Sequence, residues 1–388
     1  MRLKLMVVDD EPDLETLIRQ RFRRQIREET LDFVFAHNGL DALARLIEHP
    51  DIGIILTDIN MPEMDGLTLL SKIAELNNPV LKTVVVSAYG DMENIRTAMN
   101  RGAFDFITKP IDFGDLEITI NKTLQQLTLL RQSSAEHDQL IALKQDLNTA
   151  KIIQQAILPK VFPPFPNRKD FDVFGSMTAA KDIGGDFFDF FMIDENNFGF
   201  VIGDVSGKGI PAAIFMAVSR TLLRATALKG LPPNECLDHV NNLLCSESVS
   251  SMFVTVFYGI LNTENGIITY ANGGHNPPYL VKTDGTIDLI LMTGGIALGV
   301  MEEMPFSSKT LEMKPGEVVF LFTDGVTEAM DAEENLYSEE RLVEKLKLSH
   351  SKDIQEITKD IIDDVFLYSK DVPQSDDITV LTFRYFGR

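Results

Sequence analysis

The sequence predicts an α/β domain with a doubly wound, five-stranded parallel sheet, then a helical coiled-coil connector, then an α+β domain. Three patterns carry this. Short apolar runs alternate with amphipathic stretches over residues 1–125, a heptad-like series fills 126–166, and strand runs with a few helices occupy 167–388. A chain of 388 residues is too long for one ordinary core, so division into domains is expected.

In the first segment Leu3 to Val8, Leu31 to Ala36, Ile52 to Thr57, Lys82 to Ser87 and Phe104 to Thr108 read as five strands, with helical patterns between them. Ligands of such a sheet bind at the carboxyl ends of its strands. There stand Asp9, Asp10 and Glu11, then Asp58, Ser87 and Lys109. This set suits one Mg2+, a carboxylate nucleophile toward a phosphoryl donor, and an ammonium and a hydroxyl to stabilise the acyl phosphate. Each residue alone reads as a strand-end cap; their convergence on the proper strands is what points to chemistry.

The connector begins near Asp112. Leu116, Ile120, Leu124 and Leu127 recur at helical spacing, and Leu140, Leu143, Leu147, Ala150, Gln154 and Ile157 form a heptad seam, with Ser133-Ser134 the expected weak point between the series. The seam predicts a parallel two-helix coiled coil and a homodimer, against the alternative of a helix packed on its own domain. Pro159, Pro163, Pro164 and Pro166 end the helix.

Beyond it, strand runs lie at Phe171 to Ala179, Phe253 to Leu261, Ile267 to Asn272, Val318 to Thr323 and Ile378 to Arg384, with helices near 211–228, 234–247, 339–348 and 353–369. The stretch IGGDFFDFFMIDENNFGFVIGDVSGKG, Ile183 to Gly209, reads as a hairpin turning at Glu195-Asn196-Asn197, with Asp186 and Asp204 at one end and glycines leaving the backbone bare beside them. Asp324 follows one strand run and Asp376-Asp377 precede another. Separated acids without His or Cys suit hard ions, and two such ions roughly 3.5 to 4 Å apart share a hydroxide nucleophile. A hairpin with acidic turn residues is the plainer reading of Asp186 and Asp204 taken alone.

The net charge of -22 disfavours nucleic acid and anionic membrane as partners. No signal-peptide pattern or membrane-length apolar run is evident, so a cytoplasmic protein is expected. Cys236 and Cys245, the only two cysteines, lack a ligand cluster and read as reduced helix residues.

On Asp9-Asp10, Asp58 within LTDINMPEMDG, Ser87-Ala88 and Lys109-Pro110, the first segment resembles the receiver domain of two-component response regulators. The resemblance implies Mg2+ held by Asp10, Asp58 and the carbonyl of Asn60 with Asp9 assisting, phosphorylation of Asp58 by a cognate histidine kinase, a conformational switch at Ser87 and Phe106, and a cis bond at Lys109-Pro110. A GGD followed by two phenylalanines also suggests a diguanylate cyclase, but that signature needs a Glu where Phe187 stands. The set Asp186-Phe-Phe-Asp189, GDVSGKG around Asp204, Gly274-His275-Asn276, Thr323-Asp324-Gly325 and Asp376-Asp377-Ile-Thr resembles the bacterial branch of the metal-dependent PPM, PP2C-like serine/threonine phosphatases. That resemblance implies a β-sandwich between helical layers and two Mn2+ or Mg2+ ions. Asp204, Asp324 and Asp376 would be direct ligands, the Val205 carbonyl would meet the second ion, and Asp186 would bind directly or through water. Lys181 and Lys208 read as solvated lysines or phosphate contacts, and His275 as a loop-structuring residue or an acid. The implied substrate is a phosphorylated STAS-type anti-sigma-factor antagonist; the competing class is a non-enzymatic adaptor that binds a sigma-factor regulator through a phosphatase-like fold.

Overall fold

The computed structural model describes residues 3–247 and 252–387. They form two compact units, Met1–Leu143 and Lys144–Arg388. In the first, β1 (Leu3–Val8), α1 (Pro12–Arg21), α2 (Arg23–Arg27), β2 (Leu31–Ala36), α3 (Gly39–Glu48), β3 (Ile52–Asp58), α4 (Gly66–Glu75), β4 (Lys82–Ala88), α5 (Met92–Asn100), β5 (Asp105–Lys109) and α6 (Phe113–Ile157) follow one another. All pairings are parallel, in the order β2-β1-β3-β4-β5. The five predicted strands are present, the last shifted by one residue. Alternation sends Leu5 and Val7 into one core with Ile18 and Phe22, and Met6 and Val8 into the other with Ala42 and Leu69. Burial on both faces is why these strands read as continuous apolar runs. Asn38 and Asp65 cap α3 and α4 by accepting from Asp41 N and Thr68 N.

Helix α6 runs unbroken for 45 residues, so Ser133-Ser134 does not interrupt it. Leu116, Ile120 and Leu127 are buried against the first unit's sheet, whereas Leu140 and Leu143 are about half exposed. Gln154 departs from the seam reading: it is buried against its own unit, donating to Gly184 O at 2.5 Å and accepting from Gly184 N at 3.1 Å. Alternate spacing of small and apolar residues could not tell a partner helix from this backbone.

The second unit contains β6 (Phe171–Thr178), β7 (Phe187–Met192), β8 (Asn197–Val205), α7 (Ile210–Ala227), α8 (Pro233–Glu247), β9 (Val254–Asn262), β10 (Ile267–Gly273), β11 (Tyr279–Val281), β12 (Ile287–Leu289), β13 (Ser308–Glu312), β14 (Val318–Phe322), α9 (Asp324–Thr327), α10 (Glu339–Ser349), α11 (Ile354–Tyr368) and β15 (Ile378–Tyr385). Two five-stranded sheets result, β13-β10-β9-β8-β7 and β12-β11-β14-β15-β6. Phe188, Phe190, Phe198 and Phe200 meet Val319, Leu381 and Phe383 between the sheets. Phe187, Phe191 and Val201 face α7 and α8, while Phe320, Phe322 and Val380 face α10 and α11, giving helix, sheet, sheet, helix. The short strands β11, β12 and β13 escaped sequence reading because three to five residues give too little alternation.

Helix α7 is long and apolar enough to span a membrane by length and composition alone, contrary to the expectation that no run approached that size. Its Ala212, Met216, Leu223 and Ala227 are instead buried in the second unit's core. On the face of β7 that meets α7, Asp189 is wholly buried and ion-paired to Arg220 at 2.9 Å and Arg224 at 2.7 Å, which ties α7 to the sheet.

Replacing Phe200, fully buried between the sheets, by Ala should cost the second unit about 3 to 5 kcal/mol. Urea unfolding followed by circular dichroism should show its transition at lower urea with the first unit's transition in place; joint movement of both would show that the units do not unfold separately.

Candidate functional site

Parallel strands deliver the first group. Asp9 and Asp10 follow β1 and Asp58 ends β3, and their carboxylate oxygens lie within 4.8 Å of one another. Among the described residues no other trio of His, Cys, Asp or Glu meets that spacing. Lys109, at the end of β5, reaches Asp58 Oδ2 at 2.8 Å, Asp9 Oδ2 at 3.1 Å and Glu11 at 3.5 Å. Burial raises the Asp9 carboxyl above its ordinary range despite the Glu11 amide and Lys109. Burial works against the Lys109 ammonium, yet Asp58 and Asp9 hold its pKa well above the usual lysine value.

Asp58 is nearly buried, with Oδ1 accepting from Ile59 N at 2.7 Å and Oδ2 bound to Lys109. Gly66 packs so tightly on this strand end that a Cβ there would lie 2.1 Å from the Asp58 carbonyl oxygen. Asn60 is exposed two residues on; Ser87 is buried with Oγ 3.4 Å from Asp91 Oδ2; Phe106 is 39% exposed; and the Lys109-Pro110 bond is cis. Asp91 was not anticipated, since a carboxylate one turn beyond a strand carries no periodic signal. The trio is of a size and donor type that fits one hard divalent ion.

The second group is built by the β7–β8 hairpin. Phe187 pairs with Gly203, so Asp186 and Asp204 stand across from one another just beyond that pair. Asp324 begins α9 directly after β14, and Asp376-Asp377 precede β15 beside it. Asp186 is buried, and Thr323 Oγ1 donates to its Oδ2 at 2.7 Å. Burial first, then Asp204 and Asp377, push its carboxyl well above the ordinary range. Burial and the neighbouring Asp324, Asp376 and Asp377 push Asp204 up to about 7, although a hydrogen bond with Asp186 opposes this. Asp324 is raised by burial, by Glu328 and by Asp376.

Asp376 and Asp377 have opposite environments. Asp377 is buried and its carboxylate is consumed by backbone: Oδ1 accepts from Ala180 N at 2.8 Å, and Oδ2 from Gly185 N at 2.6 Å and Asp186 N at 3.3 Å. A Cβ on Gly184 would lie 2.2 Å from Asp377 Oδ2, so this approach requires glycine. Asp376 is partly exposed and faces Lys208 Nζ at 2.9 Å.

Lys208 is therefore ion-paired rather than freely solvated, while Lys181 is exposed. His275 is buried, with Nε2 3.2 Å from the Phe322 carbonyl and Nδ1 2.9 Å from Thr255 Oγ1. A carbonyl only accepts, so Nε2 carries the proton and Nδ1 accepts from the hydroxyl. Burial lowers its pKa to about 4, so the ring is neutral and serves its loop rather than as an acid. Thr323, Glu328 and the Asp377 grip were missed, because only the folded chain brings β14 and β15 to the hairpin.

The fit of hard divalent ions to this group rests on uncompensated charge: Asp186, Asp204 and Asp324 are buried or half-buried, offer oxygen donors only, and repel one another. Residues 5–121 match the family model described as response regulator receiver domain, and residues 194–386 that of stage II sporulation protein E, SpoIIE. The chain joins a response regulator receiver domain to a SpoIIE-type, PP2C-like phosphatase domain. Phosphatases of this type depend on Mg2+ or Mn2+.

The chain is 29% identical over 264 residues to protein IcfG of Synechocystis sp., covering 61% of this chain and 41% of IcfG. It is 29% identical over 255 residues to phosphoserine phosphatase RsbU of Bacillus subtilis, covering 64% of this chain and 74% of RsbU. The chain thus spans less than half of IcfG and about three quarters of RsbU. The fold of the phosphatase domain is that of the SiaA-PP2C domain of Pseudomonas aeruginosa, with TM-score 0.57, 20% identity, and coverage of 63% of this chain and 98% of that one. The PP2C domain structure of SpoIIE from Bacillus subtilis aligns with TM-score 0.50 and 18% identity over 58% of this chain and 69% of that one.

Without divalent ions, Asp204 takes up a proton on folding between its ordinary 3.8 and about 7, so its contribution to stability is greatest below about 4, falls as pH rises through that window, and is flat above it. In EDTA, calorimetry should therefore show Asp204→Asn melting above wild type at pH 8, with the difference shrinking toward pH 4. A difference that does not change with pH would mean that Asp204 is not crowded by its neighbours.

Proposed function

We propose that the chain is a two-component response regulator in which phosphorylation of Asp58 controls hydrolysis of phosphoserine or phosphothreonine by the phosphatase domain. The observation that carries the enzymatic half is the convergence of Asp186, Asp204, Asp324 and Asp376 at one end of the paired sheets. In this reading Asp204, Asp324 and Asp376 hold two Mn2+ or Mg2+ ions directly, Asp186 binds directly or through water, and the Val205 carbonyl serves the second ion. The environments favour Asp376 over Asp377, since both oxygens of Asp377 already accept from backbone amides. Bound ions supply positive charge to the transferring phosphoryl group and lower the pKa of the attacking water. The residues of the chain hold the acids in place: Thr323 and the Asp377-bound backbone fix Asp186.

In the receiver, Asp10, Asp58 and the Asn60 carbonyl would hold one Mg2+ with Asp9 assisting. A carboxylate oxygen of Asp58 attacks the phosphorus of the kinase's phosphohistidine as the phosphorus–nitrogen bond breaks, and Lys109 stands ready to neutralise the added charge. Ser87 and Phe106 are the residues expected to respond. The route to the phosphatase domain passes through α6, whose Gln154 is bonded to Gly184, two residues before Asp186. Exposed Leu140 and Leu143, with half-buried Leu147, are the surface through which α6 would pair in a homodimer. The relative named phosphoserine phosphatase RsbU supports a phosphorylated protein as substrate, and a STAS-type anti-sigma-factor antagonist is the specific candidate. A binding-only adaptor is disfavoured because none of the four acids is missing.

Hydrolysis of an aryl phosphate should require Mn2+ or Mg2+ and fall by about two orders of magnitude or more in Asp204→Asn. Turnover that persists in excess EDTA would remove the metal-dependent mechanism, and no turnover with either ion would remove the enzymatic reading.

A small-molecule phosphoryl donor should change the phosphatase rate of wild type and leave that of Asp58→Ala unmoved. Gln154→Leu should accept phosphate on Asp58 to the same extent, measured on a phosphate-affinity gel, yet lose most of the rate change. A full response in Gln154→Leu would place coupling elsewhere than in the Gly184 bonds.

A further inference from the structure

Asp376 has one carboxylate oxygen on backbone and the other on a side chain that can move away. Its Oδ1 accepts from Asp377 N at 2.9 Å, and its Oδ2 is taken by Lys208 Nζ at 2.9 Å. Lys208 also donates to the Ser375 carbonyl, which fixes the ammonium over the segment that carries Asp376. Among the described residues Lys208 is the only cation ion-paired to any of Asp186, Asp204, Asp324, Asp376 and Asp377. The pair is open to solvent, with side-chain exposures of 39% and 33%, so ions can reach it and the lysine can leave it. Burial opposes the Lys208 charge, but Asp376, Asp377 and Asp324 together keep it firmly protonated.

A divalent ion seeking Asp376 through its outward oxygen meets an ammonium already there, and the two cations repel one another. We propose that Lys208 is an internal counter-ion that a divalent ion must displace from Asp376, so that this lysine sets how tightly the phosphatase domain holds its metal. The proposal rests on the reading of Asp376 as a ligand. In the absence of metal Lys208 relieves part of the mutual repulsion of the acids, and on metal binding it gives up that place. It is thus a residue that tunes metal affinity by competition.

The test is calorimetric titration of Mn2+ into the EDTA-stripped, full-length chain and into Lys208→Met, Lys208→Arg and Asp376→Asn; heat from the receiver's site is common to all four and cancels in the comparison. Lys208→Met should bind Mn2+ more tightly, on the order of tenfold, since a solvent-reached ion pair is modest but the repulsion of a doubly charged ion is removed with it. Lys208→Arg, which keeps the charge, should stay near wild type, and Asp376→Asn should bind more weakly. The metal-free Lys208→Met protein should also melt at a lower temperature, and Lys208→Gln provides the same comparison should the methionine variant not fold. A merely structural lysine would lower that melting temperature without tightening Mn2+. Equal Mn2+ affinity in wild type and Lys208→Met, with Asp376→Asn weakened, overturns the counter-ion role and leaves the ligand reading in place. Unchanged affinity in Asp376→Asn removes the ligand reading and the counter-ion role with it.

Discussion

Like charges forced together at the ends of the strands are the constraint on which the phosphatase domain depends. Asp186 and Asp204 meet across the open end of the β7–β8 hairpin, and β14 and β15 add Asp324, Asp376 and Asp377. Such crowding raises the proton affinity of the buried members and stores a demand for positive charge. The fold holds the group together by spending one acid on structure. Asp377 accepts from Ala180, Gly185 and Asp186 amides and so fixes the approach of the glycine segment to the second sheet.

The rest of the domain is arranged so that this crowding is tolerated. Ten strands in two sheets enclose a phenylalanine-rich core, and helices cover both outer faces. Removing apolar surface from water supplies the stabilisation against which a few repelling carboxylates can be carried. Asp189 shows the contrasting solution in the same hairpin: it is more deeply buried than Asp204 but is satisfied by Arg220 and Arg224, so it belongs to the scaffold. The receiver handles its acids in a third way, with Lys109 supplying the counter-charge that Asp9 and Asp58 share.

Within the second unit, the end of helix α6 is bonded to the glycine segment that precedes Asp186. Gln154 addresses both the amide and the carbonyl of Gly184, the residue against which Asp377 is packed. The same short segment is thus held from one side by the connector and from the other by β15.

Much of this was legible in the amino-acid sequence. Five apolar runs with acids at the ends of the first and third, a hydroxyl after the fourth and a lysine after the fifth are local features, and strand alternation needs only neighbours to be read. The hairpin bearing Asp186 and Asp204 was equally local. Residues whose roles depend on distant partners were not: Gln154 read as one more seam position, Lys208 as a solvated lysine or a phosphate contact, and Asp376 was set before Asp377 only by its place in the resembled motif. The bond from Thr323 to Asp186 could not be read until β14 was set beside the hairpin. The sequence by itself determined the elements and the chemical types at their ends, since both follow from short-range periodicity and composition. Only the tertiary structure decided which acid faces solvent and which is consumed by backbone, because that choice is made by amides and cations lying far away along the chain.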